Sequence, residues 1–377
     1  MMIYLDSAAT TPMRTEALEA YVQTAGTAYG NTHSLHDAGS EAAQYVTSCR
    51  KLWGQMLGVR KEGIYFTGNA SEGNQLAIRS LLRGRPAACR KIVTTKLEHA
   101  SVLVTLHELE KEGYRIDYVP VDRFGVIDLE QFQQAVDNET ALVVMQLVNS
   151  EVGAVQPVEE CVRIAGQWNI PVHSDVVQGF GKMAVNVGEL GVASAVCSAH
   201  KIGGPKGVGI VSIDPSVHWE SVYEGTTHQQ GFRAGTVDVP GIVAATIAAK
   251  YALAEQPQAF DKARALQQYL IAQLPEGMLL MGDPDTKSPF IQGLVLPHVE
   301  GQWMMLACNR QNIAISTGTA CKIGSGEAMS AMSAIGLESD VARKFVRVSF
   351  HAGTTESEVD SFLDVVKESL NQFSSVT

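Results

Sequence analysis

The six cysteines, at positions 49, 89, 161, 197, 308 and 321, form no Cys-x-x-Cys pair and follow no regular spacing. That argues against a disulfide framework and against a structural zinc site. A Lys/Arg block is also missing: 29 basic residues face 40 acidic ones, for a formal net charge of −11. Such a chain suits neither nucleic acid nor an anionic membrane surface. No apolar stretch approaches the ~20 residues that span a bilayer, and no fixed-period repeat stands out. The opening Met1-Met2-Ile3-Tyr4-Leu5-Asp6 has no basic region, so no secretory leader is expected. What is present is globular in character: 377 residues, 45% apolar and 18% charged, enough for two or three domains at roughly 100–200 residues each. A cytoplasmic α/β protein is the expectation.

Apolar runs alternate with helical patterns. Strands are expected at 65–67, 91–95, 116–119, 142–148, 170–173, 193–197 and 209–213, with helices at 102–111, 129–136 and 158–168 among them. Strands separated by helices imply parallel pairing with helices on both faces. Pro240 to Gln256 reads as one Ala-rich helix stopped by Pro257. Beyond it lie a helix at 259–273, a strand at 291–296, a helix at 300–311, a Gly/Ser/Thr-rich loop, a strand at 345–350 and a helix at 355–373. This predicts a large domain over 13–250, and a smaller α+β domain made of 1–12 with 251–377.

Two strands end on groups that carry chemistry. Ile170 to Asp175 ends on a carboxylate, with Gln178 three residues on; Ala193 to Lys201 ends on a lysine. Parallel strands bring both ends to one sheet edge, where doubly wound folds bind ligands. An ordinary ion pair would explain Asp175 and Lys201 alone. Pyridoxal phosphate also fits, because its ring nitrogen takes a carboxylate and its aldehyde a lysine. The run Tyr65-Phe66-Thr67-Gly68-Asn69-Ala70-Ser71-Glu72 favours the cofactor. There a strand turns straight into a helix, aiming free amides and the positive end of the dipole at an anion. Ser71 as a simple N-cap is the plainer alternative. His33 and His36 have no carboxylate or thiol set to complete a metal site, so no metal is expected.

Several motifs in order then resemble the cysteine desulfurases of the NifS/IscS type, a branch of the class V aminotransferase superfamily. They are Tyr4 to Pro12, Gly30-Asn31 with Ser34-Leu35-His36, Glu98-His99, His173-Ser174-Asp175 with Gln178, Ser198 to Lys201, Arg233 to Thr236, Ser316 to Cys321 and Arg347-Val348-Ser349. The resemblance implies a pyridoxal phosphate enzyme of fold type I, with a mostly parallel sheet flanked by helices plus a smaller α+β domain. It implies that Lys201 holds the cofactor, Asp175 keeps the ring nitrogen protonated, and His99 stacks on the ring and helps move protons. Gln178 would reach the ring hydroxyl, while Ala70, Ser71, Ser198 and His200 would hold the phosphate. Thr236 would reach the phosphate of a second subunit, so a homodimer is part of the expectation. Arg347, with Asn31 near it, would bind the substrate carboxylate, a planar match that lysine lacks.

Cys321 separates this reading from an ordinary transaminase. It stands among Thr, Gly and Ser residues beside Lys322, a setting that favours an exposed thiolate. Cys161, Cys197 and Cys308 sit in apolar contexts and read as core. The implied reaction converts L-cysteine to L-alanine, leaves a persulfide on Cys321, and passes the sulfur to an acceptor such as an iron–sulfur scaffold. Three positions depart from the family pattern. Ser150 replaces an asparagine that contacts the ring hydroxyl, Ser71 replaces a threonine, and His351-Ala352 replace a glycine and an arginine. Rival expectations are a selenocysteine lyase or another lyase or transaminase of the superfamily, and a non-catalytic scaffold or sulfur-carrier homologue.

Overall fold

A computed structural model describes residues 2–317 and 331–374. In chain order its strands are β1 (Ile3–Tyr4), β2 (Ile64–Thr67), β3 (Lys91–Thr94), β4 (Arg115–Tyr118), β5 (Thr140–Val144), β6 (Val172–Asp175), β7 (Ser194–Ser198), β8 (Gly209–Ile213), β9 (Leu279–Met281), β10 (Ile291–Val295), β11 (Ile313–Ala314) and β12 (Phe345–Ser349). Seven of them form one sheet in the order β2-β8-β7-β6-β5-β3-β4. Pairing is parallel from β4 through β3, β5 and β6 to β7. Both faces are covered. On β7, Ala195 and Cys197 face a cluster holding Trp53, Phe132 and Phe180, while Val196 faces one holding Leu76, Leu106 and Phe232. This alternation explains the wholly buried β5, β7 and β8.

β8 departs from the parallel expectation, running antiparallel to both β7 and β2. The connection from Ser198 to Gly209 is a 3-10 turn and a glycine loop without a crossover helix, too short to carry the chain back for parallel pairing. Two reversals return β2 to the direction of β7. The ends of β2, β6 and β7 therefore share one edge, where the candidate site lies.

The helix expected to stop at Pro257 does not: one helix spans Val239–Ala272 with Pro257 inside it. A proline there costs on the order of 3 kcal/mol. Burial on both sides offsets it, since Ala245, Ala249 and Ala252 join the large core while Leu266 and Leu270 join a second one. Pro257 itself is exposed. That second core packs against the antiparallel sheet β12-β10-β9 and contains Leu5, Leu294, Val346, Val348 and Phe362. The N-terminal segment joins it: β1 pairs with β11, and Asp6 bridges Ser349. No described helix is long and apolar enough to cross a membrane.

Candidate active site

Asp175 ends β6 almost fully buried. Its Oδ1 accepts the Val177 amide at 3.0 Å, and its Oδ2 accepts Asn74 Nδ2 at 2.9 Å. His173, two residues back and therefore on the same strand face, bonds Asn74 Oδ1 through Nε2 at 3.1 Å and Ser194 through Nδ1 at 2.6 Å. Burial pushes the His173 ring down to about 3, so it is neutral. With Asn74 Oδ1 only able to accept, the proton lies on His173 Nε2. Asn74 Nδ2 also donates to Ser101 Oγ at 3.0 Å, and Ser101 Oγ meets His99 Nδ1 at 2.8 Å. The Ser101 amide donates to the same His99 nitrogen at 3.2 Å, so the neutral ring carries its proton on Nε2. Burial, the largest cause, keeps His99 below the ordinary histidine range. One asparagine thus ties Asp175 to His99.

Lys201 closes the 3-10 turn Ala199–Lys201 after β7. Its Nζ donates to the carbonyls of Ala8 and, at 2.8 Å, Ala9. Burial, then the nearby Arg347 charge, brings its ammonium down to about 8. The segment around Ala8 is clamped to this turn. Thr11 bonds the His200 carbonyl at 2.9 Å and accepts the Gly203 amide at 2.8 Å, and His200 Nδ1 meets Thr10 Oγ1 at 3.0 Å. Burial holds His200 down at about 4, so it too is neutral.

At the end of β2 the turn Thr67–Asn69 leads into the helix Ala70–Arg83. Asn69, not Ser71, is the N-cap, its Oδ1 accepting the Glu72 amide at 2.8 Å. The amides of Ala70 and Ser71 lie in the first turn, where a helix has no acceptor of its own. Glu72 pins the turn by taking the Gly68 amide and Arg233 Nε, the latter at 2.8 Å. A side chain at Gly209 would lie 2.5 Å from the Asn69 backbone, so β8 passes the turn closely only as glycine. Ser198 Oγ is buried and has no partner. Open amides, a helix start and an orphaned hydroxyl fit an anion with several oxygens.

Gln178 is buried between Ala8 and Lys182, donating through Nε2 to the Ala8 carbonyl at 2.9 Å and accepting Lys182 Nζ on Oε1 at 2.7 Å. Arg347, in β12, places Nη2 2.7 Å from Asp6 Oδ1 and Nη1 2.9 Å from the Ser150 carbonyl. Ser150 thus contributes its backbone here. The preceding Asn149 shapes the turn by accepting the Glu151 and Val152 amides at 2.9 and 2.8 Å. Asn31 is exposed, bonds the His33 amide at 3.0 Å, and is joined to Arg347 by no hydrogen bond. Thr236 is exposed in the single chain. Cys321 lies outside the described residues. No described cluster of three or more His, Cys, Asp or Glu side chains is arranged for a metal ion.

The sequence matches the family described as Aminotransferase class-V over residues 3–362. The chain belongs to that family. It is similar to the Putative cysteine desulfurase NifS of Bacillus subtilis (strain 168), 41% identical over 367 residues that cover 96% of this chain and 93% of that protein. A solved structure described as a NIFS-LIKE PROTEIN superposes with a TM-score of 0.92 at 33% identity, covering 98% of this chain and all of the other. Another, described as SspA in complex with cysteine, gives a TM-score of 0.80 at 26% identity over 94% of this chain and 100% of that one.

The family's cofactor is pyridoxal 5′-phosphate, and the residues present fit it. Lys201 offers an amine of lowered basicity, Asp175 a buried carboxylate held by two donors, and the 67–71 turn with Ser198 an anion cradle. Sequence reasoning missed Asn74, Ser101, Lys182 and Asp6. Two of them left a signal: Asn74 lies one turn into the cradle helix, and Asp6 stands inside the Tyr4–Pro12 motif.

Proposed function

We propose that this chain is a cysteine desulfurase that converts L-cysteine to L-alanine and captures the sulfur on Cys321 as a persulfide. The observation that carries the reading is the shared edge where Lys201, Asp175 and His99 meet, with Arg347 close enough to depress Lys201. The names of the family relatives and the cysteine-bound neighbour support the same substrate.

Bound pyridoxal phosphate supplies an electron sink for charge developing at the substrate Cα. The remaining chemistry belongs to this chain. Lys201, at about 8, is partly free base near neutral pH and shuttles the Cα proton. His99, its proton on Nε2, would stack on the ring. Asp175 would face the ring nitrogen, Gln178 would donate to the ring oxygen, and Ala70, Ser71, Ser198 and His200 would hold the phosphate. Arg347 orients the substrate carboxylate, with Asn31 beside it. The Cys321 thiolate attacks the substrate sulfur, the C–S bond breaks with its electron pair left on carbon, and protonation there gives alanine. Four of the five described cysteines are ill suited to this role, which favours Cys321. Cys49, Cys161, Cys197 and Cys308 are buried with thiols pushed upward by desolvation.

The persulfide sulfur goes to an acceptor protein such as an iron–sulfur scaffold. A second copy of the chain completes the phosphate site through Thr236; the fully exposed Leu35 and the exposed Tyr29 support such an interface. The division is a large domain over 13–250 and a small one made of 1–12 with 251–377. Free thiols suit a reducing, cytoplasmic setting. The test is direct: purified protein given cysteine should show a yellow cofactor band, release alanine and gain a persulfide. Keto-acid exchange without sulfur release would make it a transaminase, selenocysteine-only turnover a selenocysteine lyase, and a colourless inert protein a scaffold.

A further inference from the structure

Lys182 lies four residues beyond Gln178 and is buried, with a relative exposure of 7%. Among the described residues no carboxylate lies within ion-pair distance of it. Its side-chain bond goes instead to Gln178 Oε1, at 2.7 Å. A buried cation without a counter-charge is costly, so its place needs a reason. The Gln178 carboxamide offers one. An amide group presents oxygen at one end and N–H at the other, and its neighbours decide which end faces which way. An ammonium only donates, so it takes the oxygen end. Nε2 is thereby turned toward the Ala8 carbonyl, 2.9 Å away, the same carbonyl that receives Lys201 Nζ. A serine, threonine or glutamine at 182 could donate or accept and would leave the amide free to turn.

We infer that Lys182 is a positioning residue that locks the Gln178 carboxamide with its N–H₂ toward the cofactor ring, making Gln178 an obligatory donor to the ring oxygen. This rests on the proposed placement of Gln178 beside that oxygen. Burial, with the charges of Lys201 and Arg347, brings the Lys182 ammonium down to about 7; the neutral amine also carries an acceptor lone pair, so the lock belongs to the charged form.

The experiment uses full-length protein reconstituted with pyridoxal phosphate. It compares the parent, Gln178→Ala, Lys182→Met and the double variant. The readouts are the cofactor dissociation constant of the apoprotein and the pH midpoint of the bound cofactor's absorbance. A purely structural role for Lys182 would not move the second. Lys182→Met should weaken cofactor binding about tenfold, the scale of one lost charge-assisted hydrogen bond, and raise the absorbance midpoint. Gln178→Ala should act in the same direction. The double variant should fall within about twofold of Gln178→Ala, because coupled residues are not additive. Parent values in Lys182→Met beside a shifted Gln178→Ala overturn the lock alone, and so do fully additive losses. Parent values in Gln178→Ala overturn the placement of Gln178 and the lock with it. If the melting curve shows Lys182→Met unfolded, Lys182→Gln, a neutral amide that can face Gln178 either way, takes its place. It should move both readouts in the same direction by less, and unchanged readouts in it likewise overturn the lock.

Discussion

Arg347 and Asp6, 341 residues apart in sequence, meet at 2.7 Å through Nη2 and Oδ1, both side chains mostly out of water. The pair fastens the N-terminal segment to β12, and the Ser150 carbonyl takes the other fork tip at 2.9 Å. Nε is buried without a partner. The guanidinium is therefore held from two sides.

Replacing Arg347 with alanine should cost about 2–5 kcal/mol of substrate binding, the range for truncating one partner of a buried charge pair. The dependence of turnover on cysteine concentration reads this out. An apparent affinity equal to the parent's would put the carboxylate site elsewhere.

Borohydride reduction followed by peptide mapping should place the pyridoxyl group on Lys201. This lysine stands at the sheet edge with a depressed ammonium, about 8. Lys182 shares the depression, but it is buried where Lys201 is partly exposed. Label on Lys182, Lys206 or Lys96 would defeat the assignment.

Cys321→Ser should keep the cofactor band and its spectral response to cysteine, yet form no persulfide, since a hydroxyl is a far poorer nucleophile toward sulfur than a thiolate. Single replacements of Cys49, Cys89, Cys161, Cys197 and Cys308 should leave persulfide formation largely intact. Mass spectrometry of the intact protein distinguishes these results, and a parent-level persulfide in Cys321→Ser would move the sulfur acceptor to another residue.

Lys287 gives the fold a pH dependence of its own. It is buried, bonds the Met281 carbonyl at 2.6 Å, and desolvation lowers it from 10.5 to about 7. Between those values the unfolded chain binds a proton that the folded one does not. Its contribution is thus fully present above the unfolded value and is lost as pH falls toward 7. Denaturant titrations from pH 7 to 9 should show the parent gaining up to about 1.4 kcal/mol per pH unit relative to Lys287→Met. The difference between the two proteins cancels Lys182, Lys201 and Glu98, which titrate in both. A flat difference would mean that Lys287 stays charged in the fold.

Much of this protein was legible along the chain, because the information was local. Strand, turn and helix follow each other within Tyr65–Glu72, and Asp175 and Lys201 stand at and just past the ends of successive strands whose parallel pairing is set by a helical crossover. Other features depended on residues that sequence cannot bring together. Pro257 should stop a helix by its own chemistry, and only the two cores gripping Val239–Ala272 carry the helix past it. β8 reversed because its connection was too short for a crossover, which a pattern of apolar runs does not express. Asn74 became the link between Asp175 and His99, and Asp6 the partner of Arg347, only once distant segments packed. Residue type and spacing determined which chemistry was available. Burial, by removing water and leaving each polar group to find a specific partner, decided which atoms face which and in what protonation state.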